Sequence, residues 1–98
     1  MIIDTDESKR STVVSIEGAA FDTEAAEQLH GVLAELDPER PLTIDLRAVR
    51  IVHDTAVARL ARDLRPAFHR VSLLGLTEHH RRLMRYFSAE GDVAHAAG

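Results

Sequence analysis

The chain has 98 residues, of which 45% are hydrophobic and 29% charged, with a formal net charge of -4. That length suits one domain and leaves no room for a second, and the composition is far from the low-hydrophobicity, high-charge balance of disordered chains. With no cysteine there is no disulfide framework, no thiolate metal site and no thiol nucleophile, and the negative charge opposes non-specific attraction to nucleic acid. The opening MIIDTDESKR meets acidic residues at once and lacks an apolar stretch behind a basic start, so neither a signal peptide nor a membrane anchor is expected and a cytoplasmic protein is.

Ser11 to Ile16 is short, rich in β-branched residues and followed by Gly18, which predicts a strand running into a turn, with Met1 to Thr5 a candidate partner strand. Asp22 or Thr23 can cap a helix whose apolar positions Ala25, Leu29, Val32, Leu33 and Leu36 recur at three- and four-residue steps. Gly31 inside it costs about 1 kcal/mol relative to alanine, so it either admits a close neighbour or is simply tolerated. Asp37-Pro38 breaks the helix. Leu42, Ile44 and Leu46 then alternate with polar residues at the period of a strand, and Val49, Ile51 and Val52 continue the apolar content towards a loop.

Ala56, Val57, Leu60, Ala61 and Leu64 form a second helical stripe that begins near His53 or Asp54 and is stopped by Pro66. Val71 to Leu76 is a nearly continuous apolar run, as expected of a strand buried on both faces. Thr77 and Glu78 open a third helix with His80, Leu83, Met84 and Phe87 facing inward, while 91–98 is assigned no element and is a candidate disordered tail. Alternation of strands and helices predicts an α/β domain with helices packed on a sheet of mixed or largely parallel pairing.

Several pieces in this order resemble the STAS domain family, which includes anti-sigma factor antagonists, small subunits of lipid-transport complexes and the tails of sulfate transporters. They are Gly18 with Phe21-Asp22, Ile44-Asp45-Leu46, the segment Val52-His53-Asp54-Thr55-Ala56-Val57, and Leu74-Gly75-Leu76. The resemblance covers nearly the whole chain and implies one STAS-like domain over 1–98 with a mixed sheet of about four or five strands. It also implies a non-catalytic protein-interaction module.

The family's signature reads approximately Asp-Ser-Ser-Gly-Leu, its first serine or threonine being the phosphorylated residue of the regulatory members. Counting forward from Asp45 without a gap puts Asp54 at the phosphoacceptor and Ala56-Val57 at Gly-Leu. Reading Asp54-Thr55 literally as the Asp-Thr pair makes Thr55 the acceptor, at the cost of an insertion and of Val57 where glycine is normal. The gap-free register is preferred. It places a permanent carboxylate, with about one charge against a phosphate's ~2, at a helix N-terminus, where dipole and unpaired N–H groups favour it. Either as an N-cap or as a docking charge, Asp54 stands at the centre of a partner surface of Arg50, Val52, His53, Asp54, Thr55, Ala56 and Val57, with Arg50 to Val52 in a loop. The implied partner is an anti-sigma factor or related serine kinase, and no cofactor. The alternatives are the ATPase of a membrane lipid-transport complex, or a nucleotide or lipid pocket near that loop.

Other constellations have plainer explanations. Among the six histidines, His79-His80 with His53 or His69 could be imagined as metal ligands, but neighbours on a helix point about 100° apart, and no metal is expected. Arg59, Arg62 and Arg65, and Arg81, Arg82 and Arg85, read as solvated helix faces open to an acidic protein. Without a glycine-rich phosphate loop or a nucleophile elbow, catalysis has no candidate residues.

Overall fold

In the computed structural model of the protein, residues 1–8, 10–64 and 70–96 are described, with side chains up to Phe87. The elements run β1 (Ile2–Glu7), β2 (Thr12–Phe21), α1 (Thr23–Ala34), β3 (Leu42–Val52), α2 (Asp54–Leu64), β4 (Val71–Leu74) and α3 (Glu78–Ala96). The strands form one sheet in the order β1-β2-β3-β4, with β1 antiparallel to β2 and the other two pairings parallel. This is the mixed sheet that the alternation predicted, and the opening residues do pair beside β2.

Each parallel pairing needs a crossover helix, and the two crossovers β2-α1-β3 and β3-α2-β4 step the same way across the sheet. A common right hand therefore lays both helices on one face. Inward residues of the strands, Val14 and Ile16 on β2 and Leu42, Ile44 and Leu46 on β3, meet Ala25, Leu29 and Leu33 of α1 and Ala56, Leu60 and Leu64 of α2 in a single core. The other face of the sheet is largely open: Ser15, Glu17 and Ser72 are exposed, and Ile2 keeps 61% of its surface.

The helix starts follow from local chemistry. Asp22 caps α1, its Oδ1 accepting the Ala25 N–H at 2.9 Å. Thr77 does the same for α3, its Oγ1 accepting the His80 N–H at 3.2 Å. At α2 the first helical bond, from the Val57 N–H, is accepted by the His53 carbonyl at 3.1 Å, so His53 occupies the cap position and Asp54 is the first helical residue.

Three expectations are corrected. Arg50 to Val52 is not a loop. After a register shift between Ser15 and Glu17 the ladder resumes with Glu17 opposite Ala48 and continues to Phe21 opposite Val52. Asp45 helps to hold this irregularity, its carboxylate accepting from the Arg47 backbone N–H at 3.0 Å and side-chain Nη2 at 2.9 Å, and these bonds hold its pKa below the usual carboxylate value. Secondly, the strand expected to be buried on both faces is the four-residue edge strand β4, with Ser72 exposed and Leu73 and Leu74 half-buried, because only one helical layer covers the sheet. Thirdly, α3 includes 91–96 of the stretch assigned no element. Pro66 and Arg65, read as a helix stop and part of a basic cluster, lie outside the described residues.

Two glycines separate requirement from tolerance. Gly75 has φ +92°, and a Cβ there would stand 2.7 Å from the Arg47 nitrogen and the Leu46 carbonyl carbon of β3. That close passage turns the chain so that Leu76 enters the core. Gly75→Ala is expected to lower unfolding stability by about 2 kcal/mol or more, from φ strain plus overpacking. Gly31, with nothing within 4 Å of a built Cβ, is the opposite case. Gly31→Ala should raise stability by about 0.5–1 kcal/mol through helix propensity alone, and urea titration followed by circular dichroism measures both changes.

Candidate functional site

Because β2, β3 and β4 run in the same direction, the helices that follow them begin at the same edge of the sheet. That edge is where open parallel sheets place ligands and contacts. It gathers Asp22 and Thr23 from the start of α1, His53, Asp54 and Thr55 from the start of α2, and Thr77, His79 and His80 from the start of α3. The His53 N–H bonds the Phe21 carbonyl at 3.0 Å, tying the entrance of α2 to the end of β2. Thr55 Oγ1 lies 3.4 Å from Thr23 Oγ1, so two first-turn hydroxyls bridge α1 and α2.

Asp54 is the meeting point of α2 and α3. Its Oδ2 is 3.0 Å from His79 Nε2, and its Oδ1 is 3.4 Å from His80 Nε2. A carboxylate only accepts, so each of these imidazole nitrogens is assigned as an N–H donor. The hydrogen bond from His79, helped by the charge the imidazoles can carry, holds the Asp54 carboxyl below the usual carboxylate range. His80 is wedged inward with its side chain 12% exposed, and its other nitrogen, Nδ1, is 3.0 Å from Thr77 Oγ1. Asp54 itself remains 59% exposed and His79 62%.

His79 and His80, considered above only as metal ligands, meet instead at the carboxylate of Asp54. Their Cα–Cβ directions diverge, but each ring reaches a different oxygen of one carboxylate, which requires no common point; the ring centroids stay 5.5 Å apart and tilted by 58°. Among the described residues no group of three histidine, aspartate or glutamate side chains is placed to hold a metal ion. His69 lies outside them.

The residues read as a partner surface divide in two. Arg50, His53, Asp54 and Thr55 are exposed, and Val52 is half-buried opposite Phe21. Ala56 and Val57 are fully buried and are thus removed from any contact surface. They root the helix start in the core, Val57 alone contributing about 1.5–3 kcal/mol by burial. Asp54 is likewise no N-cap: its oxygens are turned to α3 and the cap position belongs to His53.

His79, His80 and Thr23 were not read as companions of Asp54. The signal that could have found them was topological: three consecutive strand-to-helix junctions in parallel register necessarily share an edge. The basic stripes are partly engaged, Arg59 with Asp63 at 3.3 Å, Arg82 with Glu78 at 3.5 Å, and Arg62 stacked 5.4 Å from the centre of the Phe87 ring. A groove of about 340 Å³ lies beside the start of α1, lined by Met1, Ala20, Asp22, Glu24 and Gln28 among others, and includes no residue of 50–57. Among the described residues no helix is long and apolar enough to cross a membrane.

No family model matches the chain, and no curated protein sequence matches it. Among solved structures, the anti-sigma factor antagonist SpoIIAA in its unphosphorylated form is similar over 93% of this chain and 84% of that one, with a TM-score of 0.58 and 16% sequence identity. An identity that low speaks for the fold alone. The one-sided layer of helices on a β1-β2-β3-β4 mixed sheet is accordingly the STAS fold of the anti-sigma factor antagonists, the fold that the sequence resembles.

Proposed function

We propose that this protein is a non-catalytic interaction module that docks a regulatory protein of the anti-sigma factor or serine-kinase type at the start of α2. One observation carries the reading: an exposed carboxylate, Asp54, stands at the first residue of a helix whose first turn is locked into the core by Ala56 and Val57. Fixed charge on a rigid element is what a specific contact needs, since little ordering entropy remains to be lost on binding. The similarity to SpoIIAA supports this reading, because that protein is an anti-sigma factor antagonist.

In the gap-free register Asp54 replaces the phosphoacceptor, so the site carries its negative charge permanently and the module does not switch through a kinase. Thr55 is the alternative acceptor. Its exposed hydroxyl faces Thr23 at 3.4 Å and would have to leave that contact to accept a phosphate.

Affinity purification of the partner from native lysate, with identification by mass spectrometry, tests the docking reading. Asp54→Lys should weaken capture of an anti-sigma or kinase-type partner by roughly 30-fold, about 2 kcal/mol, as expected for reversing a charge at a contact centre. Its circular dichroism spectrum should remain that of the wild type. Undiminished capture removes this surface from the interaction. Incubation of the wild type with the captured kinase should leave Thr55 unmodified, and phosphate found there overturns the gap-free register.

A further inference from the structure

Asp54 does not meet solvent alone, and its companions are the side chains best suited to respond to protons. Between about pH 8 and pH 5 imidazoles ordinarily gain a charge. With both rings neutral, the trio of Asp54, His79 and His80 has a net charge of -1, and the two N–H donors use only part of the carboxylate's acceptor capacity. One added proton brings the trio to zero and two bring it to +1, and each hydrogen bond to the carboxylate then becomes an ion pair as well.

The surroundings accommodate either state. Thr77 Oγ1, 3.0 Å from His80 Nδ1, can donate to that nitrogen when it is bare and accept from it when it is protonated, because a hydroxyl does both. It retains a lone pair for the His80 N–H. His79 is 62% exposed to water. The charged groups of the described elements around the pair are these. On α1 the Asp22 carboxylate is committed to its capping bond and Glu24 is exposed; on β3 Arg50 is exposed; on α2 His53 is exposed; and on α3 Glu78 is held by Arg82 while Arg81 is exposed. Among the described residues, the ion-pair partners of the Asp54 carboxylate are His79 and His80.

We propose that His79 and His80 form a proton-sensitive gate on Asp54, leaving its carboxylate free to bind an arginine or lysine of the partner when they are neutral and neutralising it when they are protonated. The inference rests on the docking reading above and names the chemistry and regulation of that same surface. A partner cation approaching Asp54 meets an unopposed negative charge at high pH and an imidazolium at low pH.

Nuclear magnetic resonance on the full chain tests the gate without the natural partner. The Asp54 side-chain carboxyl carbon is expected to move between about pH 8 and pH 5 with the midpoint of the His79 ring signals. A triarginine peptide, used as the probe, should perturb the Asp54 signals and bind about 5-fold more weakly at low pH than at high pH, the effect of cancelling one exposed charge pair. In His79→Gln/His80→Gln, where the donors remain but no proton can be taken up, that pH dependence should vanish.

An Asp54 signal that stays flat while the rings titrate overturns the gate, as does an equal loss of peptide affinity in the double variant. Absence of any peptide contact at Asp54 overturns the cationic partner. If the double variant does not fold, co-titration in the wild type decides by itself. Co-titration requires no partner, so its failure leaves the docking surface standing, whereas retained capture by Asp54→Lys removes the docking surface without touching the coupling between Asp54 and the imidazoles.

Discussion

Parallel pairing of β2, β3 and β4, with a helix after each, constrains everything else in this molecule. A strand that must be followed by a second strand running the same way cannot turn back in two residues; it needs a crossover, and successive crossovers of one hand cover one face. Helices therefore crowd one side of the sheet, and all three begin along the same edge. The apolar face of each strand alternates with an outward polar face for the same reason, leaving Ser15, Glu17 and Ser72 in water.

That edge is chemically distinctive because three helix starts bring three sets of first-turn side chains together. The helix starts differ: side chains cap α1 and α3, Asp22 with its carboxylate and Thr77 with its hydroxyl, whereas at α2 the His53 carbonyl accepts only the ordinary first helical bond. Since His53 supplies the α2 cap position, Asp54 is released from capping and turns to α3. The carboxylate thus couples two helices that are distant in sequence, while its exposure keeps it available to a second molecule. Rigidity comes from beneath, where Ala56, Val57 and Leu60 are all buried to within 1%.

Similarity to an anti-sigma factor antagonist at 16% identity indicates how little of the sequence this architecture requires. In this chain the architecture rests on the pattern of inward apolar positions and on one backbone constraint, the positive φ of Gly75 where the chain grazes β3. Surface chemistry is free to diverge on such a frame. Function is accordingly argued from Asp54 and its companions and not from the fold.

Much of this was legible in the residues themselves. The stripe Ala56, Val57, Leu60, Ala61, Leu64 is the buried face of α2, and alternation through Leu42, Ile44 and Leu46 is the inward face of β3, because local periodicity records which side of an element meets the core. The resemblance carried by Ile44-Asp45-Leu46 and the His53-to-Val57 segment anticipated the fold. Less legible were features that depend on neighbours. Val71 to Leu76 is apolar enough for a doubly covered strand, yet nothing local says that β4 stands at an edge beneath a single layer of helices. Val49 to Val52 resembled a loop approach because pairing with β2 resumes only after β3 takes one extra residue between Asp45 and Ala48, which depends on the neighbouring strand. Likewise the residues alone were enough to start α2 near His53 or Asp54 and α3 at Thr77 and Glu78, since capping and periodicity are short-range. Long-range pairing alone brings the Asp54 carboxylate within 3.0 Å of the His79 ring, because the two helix starts share an edge through the common direction of strands whose hydrogen bonds join residues far apart in the chain.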